Sequence, residues 1–212
     1  MATRPHRAGL AADELPPAAA RAVRRALAAR ESAYSDEVQR LLDAGLALMV
    51  QGERSPRVAD IVRRAGLSNQ AFYRHFSSKD ELIAAVVDAG AHRLEGYLRR
   101  QVEKATTAEE QLAAWVRGVL SQSRPAVAAP TRAAMASFRM LAPDNQQLRM
   151  PRPGIGLLVE ILERLHSTDP ERDANVVALA AFGLLDQLLW ETPGTDRDIE
   201  HLVAFCTAAV SR

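Results

Sequence analysis

The sequence has few of the residues that mark disulfide-bonded or β-rich proteins. Its 212 residues include a single cysteine, Cys206, so no disulfide can form within the chain, and we expect a buried, structural thiol. Aromatic residues make up only 5% of the chain. Residues 36–212 also lack the regularly spaced β-branched and aromatic runs that strands require. These absences favour an all-α fold.

Long apolar runs and enzyme motifs are also missing. No uncharged apolar stretch reaches the roughly 18 residues of a membrane span, and the charged N-terminus lacks the apolar segment of a signal peptide. The chain contains no G-x-S-x-G, P-loop, H-E-x-x-H or C-x-x-C motif, and its five histidines lack partners one helical turn away. We therefore expect a cytoplasmic protein that is not an enzyme and needs no membrane, metal or cofactor.

The charges that are present are distributed unevenly. Residues 1–76 carry 12 arginines against 8 acidic residues, a net charge of +4, whereas residues 77–212 carry 15 basic against 18 acidic residues, a net charge of −3. This split indicates a nucleic-acid-binding head on a neutral body, although a plain solvated surface can produce the same pattern.

The N-terminal part predicts a basic extension followed by a helix-turn-helix. In the extension, residues 1–34, a Pro-Pro pair precedes an Ala-rich stretch that looks like a helix start. Ser35 has the chemistry of an N-cap for a first helix that ends at Gly52. Two short helices follow, separated by a tight turn at Gly66, and they predict a helix-turn-helix domain at residues 35–80.

The rest of the chain predicts a helical body at residues 81–212. Ser78 and Glu81 have the spacing of a capping box at the start of a long helix that continues to about residue 104. Pro and Gly residues then separate five further helices, near residues 107–123, 126–141, 154–166, 170–191 and 196–211. The expected architecture is therefore a three-helix head and a helical bundle, about nine helices in all.

The third helix of the head carries chemistry suited to base pairs. Phe72 and Phe76 define its core side, which leaves Gln70 and Arg74 on the opposite face and Ala71 on a flank. Gln pairs with adenine, Arg with guanine, and an alanine methyl contacts the methyl group of thymine. A three-helix packing unit without a nucleic-acid role is the alternative reading of this segment.

Further polar residues surround this helix. Ser68 can cap it, and Asn69 adds a second amide in the first turn, at the end that usually enters the groove. Tyr73, His75 and Lys79 suit phosphate contacts, because their side chains fix register without reading sequence.

The segment VADIVRRAGLSNQAFYRHFSSKDELIAAV resembles the signature of the tetracycline-repressor (TetR/AcrR-like) family. The resemblance covers about residues 36–85. It implies a transcriptional regulator that binds an operator in double-stranded DNA, with Asn69, Gln70 and Ala71 at base-reading positions and Tyr73, His75 and Lys79 at phosphate contacts. Val58 departs from the hydroxyl residue that family members often have near the start of the second helix, and Ser55 or Arg57 can supply that contact instead.

The resemblance further implies that the body binds a small effector, which lowers the affinity for DNA. Apolar and aromatic residues with a few polar anchors are typical of such pockets, although each of them also fits an ordinary core. A small aliphatic or flat hydrophobic effector would suit the candidates, which are Tyr97, Trp115, Met135, Phe138, Arg139, Met140, His166, Phe182, Asp186 and Trp190.

The two C-terminal helices predict a homodimer. Apolar residues surround almost the whole circumference of the helix at 170–191, so it must be covered on two sides, by a second chain or by the monomer's own core. The expected interface residues are Val177, Leu184, Leu185, Leu188, Leu202 and Cys206.

Three functional hypotheses follow. The first is a dimeric repressor released from a palindromic operator by a small hydrophobic ligand. The second is a helical ligand carrier or enzyme with a vestigial head, and the third is an activator or architectural DNA-binding protein without an effector. Operator binding separates the first from the second, and an open cavity in the body separates the first from the third.

Overall fold

The structure is a computed structural model that describes residues 16–141, 151–191 and 196–210. Within these ranges there are nine α-helices and no strand, which confirms the predicted all-α fold. The helices are α1 (Pro17–Val50), α2 (Val58–Ala65), α3 (Asn69–His75), α4 (Lys79–Val102), α5 (Ala108–Leu120), α6 (Pro125–Leu141), α7 (Ile155–Arg164), α8 (Pro170–Trp190) and α9 (Asp196–Val210).

The first helix begins much earlier than expected. The predicted start at Ser35 is wrong, because α1 runs without interruption from Pro17 to Val50 and Ser35 is an exposed residue in its middle. Pro16 and Pro17 supply the helix start, and the Ala-rich sequence that follows has high helix propensity and no breaker. The 34 residues of α1 span about 51 Å, so the second half of the predicted basic extension is helical.

Helices α1, α2 and α3 pack into a small head around Phe72, Leu41 and Ile61, which are fully buried. Gly66 ends α2 in the left-handed conformation, with φ 66°, and the Oγ atom of Ser68 accepts a hydrogen bond from the Ala71 amide at 3.1 Å. The turn between the two short helices is therefore specified by a glycine C-cap and a serine N-cap, as the sequence predicts.

The long helix α4 joins the head to the body. Its cap differs from the expected capping box by one residue. Ser78 does accept a hydrogen bond from the Glu81 amide, but the Glu81 carboxylate accepts from the amide and hydroxyl of Ser77 instead of the Ser78 amide. At the opposite face α4 packs tightly on α1, where a Cβ atom on Gly45 would lie 2.9 Å from Cδ2 of Leu82.

The body is built around α5, which packs against α4, α7, α8 and α9. Trp115 is fully buried there and its indole N–H donates to the carbonyl oxygen of Gly154 at 2.8 Å. On the outer side, the Arg117 guanidinium donates two hydrogen bonds to the carboxylate of Glu200, at 2.8 and 2.6 Å, and so attaches α9 to α5.

Helix α8 is the most apolar element of the body. Of the helices described, it alone is long and apolar enough to cross a membrane by length and composition. Ala174, Ala178 and Ala181 on this helix are fully buried in the core of the body. The apolar character of α8 therefore fits the core helix of a globular bundle.

Candidate DNA-binding face and ligand cavity

The start of α3 presents a polar face to solvent. Ser68, Asn69 and Gln70 are all exposed, and the side chain of Tyr73 is 60% exposed. Ser68, Asn69 and Gln70 lie at the N-terminal end of a helix that is held against α1 and α2 through its phenylalanines. This arrangement leaves the two amides and the phenol of Tyr73 exposed, while the Ser68 hydroxyl oxygen caps the helix.

Ala71 does not belong to this face. Its residue exposure is only 6%, so its methyl group is buried in the head and the predicted contact with a thymine methyl is wrong. The physical reason is that α3 is only seven residues long and packs against both α1 and α2. It therefore buries side chains beyond the side that Phe72 and Phe76 define.

Two basic residues at the end of α3 are held by an acidic residue of α1. The carboxylate oxygen Oε2 of Glu37 lies 2.7 Å from Nε2 of His75 and 2.5 Å from Nη2 of Arg74. These hydrogen bonds hold the pKa of Glu37 below its ordinary value, and the one with His75 has the larger effect. The Arg74 guanidinium also lies 5.4 Å from the ring centre of Tyr34.

This contact changes the expected roles of both residues. Arg74 was predicted to reach guanine from the face opposite the core, but its guanidinium turns back to α1. The His75 side chain is only 10% exposed, so it has little surface left for phosphate. No sequence pattern pointed to Glu37, because it lies 37 and 38 residues before its partners.

The edge of the head beside α3 carries three more basic groups. The Lys79 ammonium donates to the hydroxyl oxygen of Ser55 at 2.5 Å, which brings together two of the predicted contact residues. Arg57 donates to the buried carboxylate of Asp60 at 2.8 Å, and Arg63 pairs with the same carboxylate. The hydrogen bond from Arg57 is the largest cause that lowers the pKa of Asp60.

A large cavity lies in the body between α4, α6 and α8. Its volume is about 1370 Å³, above the roughly 300–1,000 Å³ of typical ligand pockets. Most of its lining is apolar, and Val86, Val87 and Leu185 are buried residues at its wall. Six of the predicted ligand-binding residues line it: Tyr97, Met135, Phe138, Arg139, Phe182 and Asp186.

The other predicted ligand residues lie elsewhere. Trp115 is a core residue whose indole N–H is already bonded to Gly154, and His166 lies after the end of α7 with φ 58°, where it terminates the helix. Trp190 does not line the cavity, but its ring stacks on Arg139, which does. Met140 is 59% exposed and is also absent from the lining. Aromatic character alone could not separate core, surface and cavity positions.

The sequence also matches a known family model. Residues 41–86, which include α2, α3 and the adjoining parts of α1 and α4, match the model described as bacterial regulatory proteins, tetR family. This segment is therefore similar to the bacterial regulatory proteins of the tetR family. A comparison with curated proteins gives no significant match.

Solved structures of regulators agree with this family assignment. A transcriptional regulator from Rhodococcus sp. Rha1 is 22% identical and superposes with a TM-score of 0.65, covering 82% of this chain and 95% of that chain. A putative TetR-family regulator from Mesorhizobium loti is 16% identical with a TM-score of 0.64, covering 84% and 96%. A TetR-family regulator from Streptomyces coelicolor is 19% identical with a TM-score of 0.60, covering 84% of this chain and 97% of that chain. At these identities the likeness shows a shared fold over nearly the whole length.

The matched segment identifies the chain as a DNA-binding transcriptional regulator. The geometry of the head agrees with this function, since the matched segment contains the exposed end of α3 and the Lys79–Ser55 pair. The family consists of regulators, which are generally not enzymes.

Three of the predicted dimer-interface residues lie inside the chain itself. Val177, Leu185 and Cys206 are buried in the chain's own core, and burial raises the pKa of the Cys206 thiol. Leu184, Leu188 and Leu202 are partly buried against the same core. The exposed large apolar residues of these helices are Val176, Leu179, Trp190 and Phe205, of which Leu179 lines the cavity and Phe205 is 61% exposed. A helix that is apolar all round gives no signal about which side its own chain covers.

Proposed function

We propose that the protein is a homodimeric repressor that binds a palindromic operator and is released when a small ligand with an apolar body fills the cavity of each chain. The single observation that carries this proposal is the position of α6. This helix lines the cavity on one side and packs against α1 and α4, the two long helices of the head–body junction, on the other.

Ala134 connects the two sides of α6 at one residue. It lines the cavity and also packs against the small buried cluster of Met49, Ile83 and Val86, which come from α1 and α4. A ligand that presses on α6 therefore acts on the helices that carry α3. A ligand shifts the equilibrium between two head spacings only by the difference of its affinities for them, which is typically about 1–3 kcal/mol.

The exposed end of α3 supports operator binding. Asn69 and Gln70 carry amides that can form paired hydrogen bonds with adenine, and they occupy the exposed N-terminal turn of α3. Ser68, Tyr73 and Lys79 can hold phosphates on either side of this helix. Arg57 and His75 are lesser candidates, because each already pairs with a carboxylate of the head.

The homodimer is supported by the exposed apolar face of α8 and α9, which contains Val176 and Phe205. Two copies of this face related by a two-fold axis would form a four-helix interface. Such a dimer presents two α3 helices to the same side of a duplex, so the half-sites should lie about one helical turn apart or slightly more.

The test is to fill the cavity with a bulky side chain. Ala134→Trp should abolish release by compounds that release the wild type, and its operator affinity without ligand is measured alongside, because Ala134 also packs in the Met49 cluster. Ala129→Trp, at an exposed position of α6 outside the cavity lining, is the matched control. Ala181 is unsuitable for this purpose, because it is fully buried in the core.

The measurement is fluorescence anisotropy of a selected operator duplex against a panel of apolar compounds. Release by at least one compound in wild type and in Ala129→Trp, but not in Ala134→Trp, supports the proposal. Thr131→Trp, which also lines the cavity and does not pack in the Met49 cluster, replaces Ala134→Trp if that variant binds the operator poorly. An operator affinity that no compound changes would contradict the effector role.

A further inference from the structure

We infer that the ligand of the cavity is an anionic amphiphile, a molecule with a long apolar body and one acidic head group. This inference rests on the proposed effector function of the cavity and adds the charge of the ligand. It comes from the arginine residues that line the cavity.

Four arginines line the cavity, against a single acidic residue. They come from separate parts of the body: Arg93 from α4, Arg124 just before α6, Arg139 from α6 and Arg152 from the segment before α7. All four are exposed, so they border the cavity where it opens to solvent. The one acidic lining residue is Asp186 of α8.

The charge of Asp186 is already matched. Its carboxylate pairs with Arg139 and accepts a second hydrogen bond from the indole N–H of Trp190 at 3.0 Å. Arg139 in turn lies over the Trp190 ring, with 5.2 Å from its guanidinium carbon to the ring centre. Arg93, Arg124 and Arg152 have no acidic partner among the residues that the structure describes. Among the described residues, three of the four arginines at the mouth of the cavity therefore lack an acidic partner.

Three of the five uncharged polar side chains of the lining form hydrogen bonds within the protein. The Ser121 hydroxyl donates to the carbonyl of Gly118 at 2.7 Å, the Thr131 hydroxyl to Val127 at 2.9 Å, and the Asn175 amide to Glu171 at 2.8 Å. The other two are Tyr97 and Gln122, and the charged groups that can orient a ligand beside them are the guanidinium groups. An arginine presents up to five N–H donors in a planar fork that fits carboxylate and phosphate oxygens.

The deeper wall is suited to a different kind of group. Phe138 and Leu185 are buried, and Leu94, Met135 and Phe182 pack against the core of the body. A chain of methylene groups would bury its surface there, while its acidic end stays at the arginine-lined mouth. A cationic ligand is disfavoured, because like charges repel at the mouth.

The positions of the arginines also link binding to regulation. Arg93 belongs to α4, the helix whose first residue is Lys79 beside α3, whereas Arg124 and Arg152 precede α6 and α7. An anion held between them would connect α4 to the rest of the body. The same charge that selects the ligand would then influence the helix that carries the head.

The experiment compares three probes with the same ten-carbon chain on the full-length protein. Isothermal titration calorimetry below micelle-forming concentrations measures the Kd of decanoate, decan-1-ol and decyltrimethylammonium. Decanoate should bind at least about tenfold more tightly than decan-1-ol, and the cation most weakly. Decanoyl-CoA as a fourth probe distinguishes a free acid from a thioester whose phosphates supply the negative charge.

A triple variant tests whether the arginines cause this preference. In Arg93→Gln, Arg124→Gln, Arg152→Gln, the advantage of decanoate over decan-1-ol should disappear while decan-1-ol binds as before. The matched control replaces three exposed arginines outside the lining, Arg99→Gln, Arg100→Gln, Arg197→Gln, and should keep the advantage.

Several results would overturn the inference. Equal binding of decanoate and decan-1-ol by the wild type, or an advantage that survives in the triple variant, contradicts an anionic ligand and leaves the effector site intact. Binding of none of the four probes also contradicts it, and the effector role is then decided by whether the compound panel releases the operator. If only decanoyl-CoA shows arginine-dependent binding, the anionic group is supplied by the thioester's phosphates.

Discussion

Nε2 of His75 lies 2.7 Å from the carboxylate of Glu37, so the last turn of α3 is attached to the middle of α1 by an ionisable contact. Arg74 bonds to the same carboxylate oxygen at 2.5 Å. One acidic residue of α1 therefore holds two basic residues at the end of α3.

Glu37→Gln should lower the thermal stability of the protein near pH 7, and the deficit should shrink as the pH falls. The native contacts lower the pKa of Glu37 from its ordinary value of 4.5, so their stabilisation is fully present above that value. It is lost as the pH decreases through the lower pKa of the folded state, where wild-type Glu37 becomes neutral as well.

The check is thermal denaturation of both proteins between pH 7 and pH 3, followed by circular dichroism. Other carboxylates titrate equally in the two proteins, so the difference between their Tm values isolates Glu37. A Tm difference that stays constant over this pH range would show that the charge of Glu37 does not stabilise the contact between α1 and α3.

Gln70→Ala and Lys79→Ala should weaken DNA binding in different ways. Loss of a base contact by Gln70→Ala should cost roughly 1–3 kcal/mol on the preferred sequence and relax preference at one position in each half-site. Loss of a phosphate contact by Lys79→Ala should weaken all duplexes alike and reduce the salt slope by about one unit per site.

Selection of bound DNA from a random pool, followed by titrations at several salt concentrations, separates the two effects. The fold should not change, because Gln70 is exposed and Lys79 lies at the edge of the head. If Lys79→Ala alters the selected DNA motif and Gln70→Ala leaves it intact, the assignment of Gln70 to a base and Lys79 to a phosphate is wrong.

Local chemistry explains which parts of the fold the sequence could predict. Gly66 and Ser68 specify the turn between α2 and α3 through their own backbone and side-chain bonds, so the helix-turn-helix was predictable from a few adjacent residues. Residues with capping chemistry can also predict a helix start where there is none, however. Ser35 has the chemistry of an N-cap but lies inside α1, where neighbouring alanines and leucines favour an uninterrupted helix.

Long-range pairing explains what the sequence could not predict. The contact of Glu37 with Arg74 and His75 joins residues 37 and 38 positions apart, and nothing in their local pattern indicates it. The prediction that Leu185 lies in the dimer interface failed for a related reason. Helix α8 is apolar on all sides, and only the packed structure shows that Leu185 is buried while Val176 is exposed.

Phe205→Glu should give a folded monomer. Phe205 is exposed on α9, so a charge there interferes only with the contact between two chains. Leu185→Glu is the contrasting change. It buries a charge in the core of one chain, where Leu185 is 4% exposed, and should unfold the body.

Light scattering at micromolar concentration, with circular dichroism on the same samples, distinguishes these outcomes. The wild type should have the mass of a dimer, and Phe205→Glu that of a monomer with unchanged helix content. A wild-type monomer, or a Phe205→Glu protein that remains dimeric, would move the interface away from α9.

Gly154→Ala should destabilise the body by about 1–3 kcal/mol. Gly154 has φ 75°, and a Cβ atom there would lie 2.8 Å from Cδ1 of Leu98 and 2.9 Å from Nε1 of Trp115. The change therefore adds backbone strain and disturbs the indole hydrogen bond to the Gly154 carbonyl.

Gly156→Ala is the matched control, two residues along. It lies inside α7 and its added Cβ would have no neighbour within 4 Å, so alanine should be neutral or stabilising by about 0.5–1 kcal/mol. Urea denaturation of the three proteins measures both effects. Equal urea midpoints for Gly154→Ala and wild type would show that the contact between Trp115 and Gly154 tolerates a side chain at residue 154.

The most direct test of the account is the affinity of the wild-type protein for its own selected DNA sequence. Fluorescence anisotropy at one physiological salt concentration should compare a duplex selected from a random pool with a scrambled duplex of the same composition. Recognition through the exposed residues of α3 predicts a preference of roughly 10³-fold or more for the selected duplex. Equal affinity for the two duplexes would contradict sequence-specific regulation by this protein.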